Sequence, residues 1–321
     1  MVVRTNIKQL LHIVFLLGML PLMFACSRKK NTDGNSQDSV SKTKAAREDI
    51  LVGTLYVAID ESVYPLLKEQ EEVFLSAYPN AKLQFIAKPE RFAIRELLAD
   101  KAGVAVLARE LNETEAAYFD KRSISPRVFP VCTDGIVVIN NTKAADTSVT
   151  MEYLTEAMRG VSTHRKKIVF DNINSSTFRH LQEIGKIEKV ASNFVEAGNG
   201  AAGVLQAVAS STEKVGVLGY NQYLDLIATF PDKNNIRILS VQNTQGEQAD
   251  RKFYKPSQST LAAGQYPLRR TFYVLNYQPN MGLGIGFSAF LTGDRGQRIV
   301  LRSGLVPATM PGREIIVRDN I

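Results

Sequence analysis

Residues 51–108 read LVGTLYVAIDESVYPLLKEQEEVFLSAYPNAKLQFIAKPERFAIRELLADKAGVAVLA, and the alternation within this stretch decides the fold class. Leu51–Ile59, Lys82–Ala87 and Gly103–Ala108 are short β-rich runs, the last of them fully apolar. Between them, Tyr64–Tyr78 repeats Leu66, Leu67, Val73, Phe74 and Tyr78 at helical spacing, and Arg91–Asp100 is a second helical stretch. A β-α-β-α-β rhythm of this kind predicts an α/β chain with a mostly parallel sheet covered by helices on both faces.

The rhythm continues downstream. Gly135–Asn140, Lys167–Asp171, Val215–Leu218, Ile236–Val241 and Arg270–Leu275 read as strands. Helices are expected over Met151–Arg159, from near Ser175, over Ala201–Ser210, and from Gly284 to Ser303 as one last helix. Alternation fixes a class and leaves function open.

Upstream, Arg4 and Lys8 precede an apolar run, Leu10 to Met23, too short to span a bilayer and suited to a signal peptide. It ends Leu22-Met23-Phe24-Ala25-Cys26, which resembles a lipobox, so residues 1–25 read as a lipoprotein signal peptide and Cys26 as the lipid attachment site. An ordinary signal peptide cleaved nearby, with Cys26 incidental, is the competing reading. Residues 27–49, SRKKNTDGNSQDSVSKTKAARED, contain no aromatic residue and cannot bury a core, so 26–50 reads as a lipidated tether.

The 321 residues carry a formal charge of +7. Residues 1–50 hold eight Lys/Arg and four Asp/Glu, which leaves 31 basic and 28 acidic residues in the rest. The excess belongs mostly to the leader and tether, and no Lys/Arg stripe follows a later helix, so no nucleic-acid partner is implied. Cys132 is the only cysteine after Cys26, which excludes an intrachain disulfide framework in the body. No paired-histidine metal site, nucleophile elbow or P-loop occurs, and no cofactor is called for. His164 lies in the charged run 163–167, and His180 stands about 140° around its helix from Ser175. Neither argues for an enzyme.

Seven segments in order resemble the phosphate-binding, substrate-receptor component of phosphate ABC transporters. They are residues 53–83 (GTLYVAIDESVYPLLKEQEEVFLSAYPNAKL), 104–115 (VAVLARELNETE), 133–141 (TDGIVVINN), 174–181 (NSSTFRHL), 198–220 (GNGAAGVLQAVASSTEKVGVLGY), 266–274 (YPLRRTFYV) and 286–308 (GFSAFLTGDRGQRIVLRSGLVPA). The resemblance implies a two-lobed periplasmic-binding-protein fold with two hinge crossings. Lobe one would hold 51–131 plus 264–321, and lobe two 132–263. It further implies phosphate or another small oxyanion as ligand, a permease or envelope complex as partner, and a place on the periplasmic face held by the lipid.

The resemblance places ligand contacts at Ser62, Asp134, Ser175, Ser176, Thr177, Arg109 and Asn199. Ser62 and the run Asn174-Ser175-Ser176-Thr177 sit where helices begin, and helix N-termini favour anions. Asn174 is weighed as a helix cap; Ser175 and Thr177, which helix capping would equally explain, as ligand contacts. Asp134 would accept the proton of a monoprotonated oxyanion, or else only shape an Asp-Gly turn. Arg109, Arg91 or Arg95 would supply the cation.

The departures from the family pattern bear on the ligand. Its Gly/Ser-rich first and second loops are replaced by Asp60-Glu61-Ser62-Val63 and Lys88-Pro89-Glu90-Arg91, and an arginine that would clamp phosphate is replaced by Asp171. A like-charge pair about 5 Å apart costs on the order of 3 kcal/mol at an effective dielectric near 20. Asp60, Glu61 and Asp171 therefore argue for another ligand, or a signalling or assembly role, as the alternative.

Overall fold

The computed structural model describes residues 49–161, 166–246 and 248–310. The leader, Cys26, nearly all of the tether and His164 lie outside the described residues.

Strands β1 (Gly53–Asp60), β2 (Ala81–Lys88) and β3 (Val104–Leu107) are parallel, with β1 in the middle. Helices α1 (Tyr64–Ala77) and α2 (Glu90–Leu98) make the crossovers. All four residues of β3 are buried, as expected of a strand covered on both faces. On one face lies a core around Leu66, Phe74 and Phe287; on the other, one around Ala93, Leu97 and Phe119. Helix α3 (Glu113–Asp120), which the sequence reading did not assign, starts in a capping box between Asn112 and Glu115.

Strand β4 (Arg127–Asn141) carries the chain from one lobe into the other. Its first half pairs antiparallel with β12 (Arg269–Asn276), which also pairs with β3. Its second half, Ile136–Asn140, pairs with β8 (Lys214–Gly219). The strand begins eight residues before the expected Gly135. Pro130 hides that start, because a proline rarely sits in a central ladder; here the register slips between Phe272 and Tyr273, which leaves Val131 as the extra residue and sets Pro130, opposite Tyr273, beside a bulge.

Beyond β4 the chain adds β5 (Ser148–Val149), α4 (Met151–Arg159), β6 (Lys167–Phe170), α5 (Ser176–Ile184), β7 (Val195–Ala197), α6 (Gly200–Ala209), α7 (Tyr220–Thr229), β9 (Ile236–Ile238), β10 (Ser240–Gln242), β11 (Phe253–Tyr254) and α8 (Gln258–Ala262). Strand β6 lies between β7 and β8, parallel to both. The run expected as one strand, Ile236–Val241, is two: β9 pairs with β4, and β10 joins β5 and β11 in a separate small sheet. The last helix is likewise split, into α9 (Leu283–Thr292) and α10 (Asp294–Arg302), at Gly293, whose extended backbone ends one helix and caps the next. Strand β13 (Val306–Pro307) then pairs with β4.

Candidate functional site

Four strands, β1, β4, β6 and β12, bring polar residues to one buried point between the lobes. Asp60 closes β1, and its carboxylate caps the turn that follows: Oδ1 accepts from the Ser62 amide at 2.9 Å and the Ser62 hydroxyl at 2.8 Å. Asp171 follows β6 and accepts from the Ser175 hydroxyl at 2.7 Å. Asp134 and Arg270 are direct neighbours across the β4–β12 ladder, at the hinge. The Arg270 Nη2 donates to Asp134 Oδ2 at 3.2 Å, and Nη1 donates to Ser176 Oγ at 2.5 Å and Thr177 Oγ1 at 3.4 Å. Ser62 and Ser176 hydroxyls approach to 3.4 Å across the lobes. Gly219, at the end of β8, makes room for this: a Cβ there would lie 2.9 Å from Arg270 Nη2 and 3.1 Å from the Ser62 side chain.

Asp60, Ser62, Asp134, Asp171, Ser175, Ser176, Thr177 and Arg270 are all buried. Asp134 also accepts from the Asn221 amide at the start of α7, and Asn221 Oδ1 in turn accepts from the Leu66 amide of α1. Gln222 donates to the Glu61 carbonyl at 3.1 Å, a further bond between lobes. Asp60 Oδ2, Asp171 Oδ2, Arg270 Nε and Gln222 Oε1 find no partner among the described residues.

Charge is unbalanced here: three aspartates lie at a centre with one guanidinium, and only Asp134 pairs with it. Burial pushes the Asp134 carboxyl up to about 6, although Arg270 pulls the other way. Burial also lifts Asp171 to about 6, with repulsion from Asp60 adding to it and the Ser175 hydrogen bond opposing it. Glu61, beside them, is raised to about 7 by burial and by the charges of Asp171 and Asp60. His180, on α5, is held neutral, down to about 3, by burial and by the nearby Arg270 and Arg179.

Of the residues singled out from the sequence, Ser62, Asp134, Ser175, Ser176 and Thr177 meet at this point. Two do not. Arg109 is committed elsewhere, in a fork to Glu115 at 2.7 and 2.9 Å and within 3.7 Å of Glu90. Asn199 is exposed at the start of α6; only the backbone of its loop reaches Asp171, through the Gly200 amide. Arg91 and Arg95 are exposed as well. The cation of the site is Arg270, which the sequence reading passed over inside YPLRRTFYV. Its signal was period two: Arg270 is in phase with the buried Phe272 and Val274, whereas Arg269 points out. The cap of α5 is Ser175, which accepts from the Phe178 amide, rather than Asn174.

Among the described residues, no group of His, Cys, Asp and Glu is placed to hold a metal ion. No helix among them is long and apolar enough to cross a membrane.

Two lobes joined at a hinge, with polar groups from both converging between them, are the architecture of the periplasmic-binding-protein fold. The chain belongs to the PBP superfamily, whose domain model matches residues 44–295. Solved structures agree on the fold. A protein from Clostridium perfringens, assigned as a phosphate ABC transporter substrate-binding protein and holding phosphate, is similar at TM-score 0.64 and 16% identity, over 80% of this chain and 100% of that one. An ABC-type phosphate transport receptor from Vibrio cholerae is similar at TM-score 0.61 and 18% identity, over 79% of this chain and 100% of its own. No match is found among curated proteins. The resemblance read in the sequence is thus that of these structural relatives, which at this identity share the fold.

Proposed function

We propose that this chain is a lipid-anchored receptor on the periplasmic face of the cell envelope, which closes two lobes (51–131 with 264–321, and 132–263) on phosphate or a related small oxyanion. One observation carries the reading. The Arg270 guanidinium lies fully buried against the Ser176 and Thr177 hydroxyls at the first turn of α5, so a cation and a helix N-terminus converge at one interlobe point. Phosphate bound by the C. perfringens protein, on the same fold, supports it. Delivery to a permease or envelope complex is the role that goes with such a receptor.

The carboxylates set a condition on the ligand. With Asp134 and Asp171 ionised against one guanidinium, the centre repels a dianion; as both take up protons below about pH 6, that repulsion falls away. The test is calorimetry with inorganic phosphate on the mature chain carrying Cys26→Ser. Affinity is expected to be weak at pH 7.5, with Kd of about 1 mM or above, and roughly tenfold tighter at pH 5.5. Absence of heat at both pH values refutes the oxyanion reading. The same substitution is expected to release the chain from the membrane fraction, and continued membrane partitioning would refute the lipid anchor.

A second reading has its own observation. Asp60 Oδ2 and Asp171 Oδ2 are buried acceptors awaiting donors, and they favour an amine, a cation or a partner's basic loop over an anion. In that case the fold serves another ligand, or envelope signalling or assembly. Thermal stabilisation by amines but by no oxyanion at pH 7.5 would select it.

A further inference from the structure

The second loop of lobe one departs from the family pattern at Lys88-Pro89-Glu90-Arg91, and the structure shows where that change leads. Pro89 caps α2 and makes Glu90 its first residue, with only 2% of its surface exposed. The Glu90 carboxylate reaches across to lobe two and takes a two-pronged hold on Arg179 of α5, at 2.5 Å from Nε and 3.0 Å from Nη2. Each partner is braced from its own side. Arg109, itself forked to Glu115, stands 3.7 Å from Glu90, and Glu183 holds the other terminal nitrogen of Arg179 at 2.5 Å. Beside the pair, the Arg91 amide donates to the Asn174 carbonyl at 3.2 Å, a backbone bond between lobes. Arg179 follows Thr177 by two residues, so this contact and the Arg270 centre share one helix.

We propose that Glu90 and Arg179 form a latch that shifts the lobes toward the closed form before any solute contacts the Arg270 centre. An exposed ion pair would contribute little, but this one is forked, charge-assisted and sheltered. It exists only when the lobes meet, and a contact made in one of two states moves the equilibrium by its full differential strength. Glu90 and Arg179 are thus positioning residues: neither donates to the centre, yet each sets the fraction of receptor already in the binding form and hence its apparent affinity. The inference rests on the two-lobed receptor reading and is independent of which solute is bound.

The experiment measures lobe separation directly. In the full mature chain with Cys26→Ser, spin labels at Lys101→Cys on lobe one and Lys189→Cys on lobe two report the interlobe distance by pulsed electron resonance, in phosphate-free buffer at pH 7.5. With the latch intact, one short-distance population is expected. Glu90→Gln, which keeps the side-chain shape, is expected to lower the closed-to-open ratio roughly tenfold, the scale of one charge-assisted hydrogen bond. Glu90→Gln with Arg179→Gln together should do no more than either alone, since the pair acts as a unit. A predominantly long distance in the parent chain overturns the latch, and so does an unchanged distribution in Glu90→Gln. Calorimetry with phosphate answers the ligand question separately, because closure here is read without solute.

Discussion

At the rim of the interlobe cleft, Glu90 meets Arg179 and Arg109, Arg109 meets Glu115, and Arg179 meets Glu183, so two guanidiniums serve three carboxylates and every carboxylate is paired. At the centre, Arg270 pairs with Asp134 alone, and the other two carboxylates, Asp60 and Asp171, each keep an oxygen without a partner among the described residues. Both clusters are made from the same residue types at the same boundary, and the difference is in their completeness. A satisfied network holds surfaces together. An unsatisfied one costs on the order of 1–3 kcal/mol for each orphaned buried group, and natural proteins tolerate that mainly where the groups serve a ligand. The rim therefore reads as the closing device and the centre as the binding device.

The largest expected effect separates the two at once. Replacing Arg270 with Met leaves Asp134 buried with no counter-charge, and breaking a buried pair from one side costs about 3–5 kcal/mol. Arg109→Gln at the rim, where the side chains are 23% and 19% exposed, should cost no more than about 1 kcal/mol. Urea denaturation at pH 7.5 measures both. Equal losses would mean the centre is no more dependent on its cation than the rim, and the contrast drawn between them would fall.

The same contrast explains how far the sequence could be read. The parallel β1–β3 unit was legible because β3 is buried throughout and α1 and α2 repeat apolar residues at helical spacing, so periodicity and burial agree. The first half of β4 was hidden by Pro130, since a bulge can be seen only when the partner strand is known. In the centre, Ser62, Asp134 and Ser175 to Thr177 were found because helix starts and an Asp-Gly turn are local signals. Arg270 was missed because its role depends on facing Asp134 across a ladder between positions 136 residues apart. Arg109 was chosen in its place because it ends a strand, and the capping box of α3 gave it Glu115 instead.

A smaller and sharper test uses the sign of a pH effect. Asp171→Asn keeps the oxygen that accepts from Ser175 and the Asn172 amide, and puts a neutral amide where the unpartnered Oδ2 stands. The folded-state carboxyl titrates at about 6, against the ordinary 3.8 of an unfolded chain. Above pH 6 it is charged in both states, and folding bears the whole cost of burying the charge. Between about pH 6 and 4 the folded form takes up a proton that the unfolded form does not, so stability rises as pH falls. Below about 4 both forms are protonated and the cost is gone. The neutral amide carries no such cost at any pH, so the Asp171→Asn variant should be more stable than the parent by on the order of 2 kcal/mol at pH 7.5, and the gain should vanish by pH 4. Comparing variant with parent cancels His180, which works in the opposite sense because its depressed folded value loses stability as pH falls below 6.5. At the rim burial raises Glu90 as well, with the Arg179 hydrogen bond opposing it, and Glu90→Gln also takes the fork from Arg179, so that change should stabilise less than Asp171→Asn does. An Asp171→Asn chain that is less stable than the parent at pH 7.5 would show that the Asp171 charge is matched within the fold, and the centre would then be a second latch rather than a site awaiting a ligand.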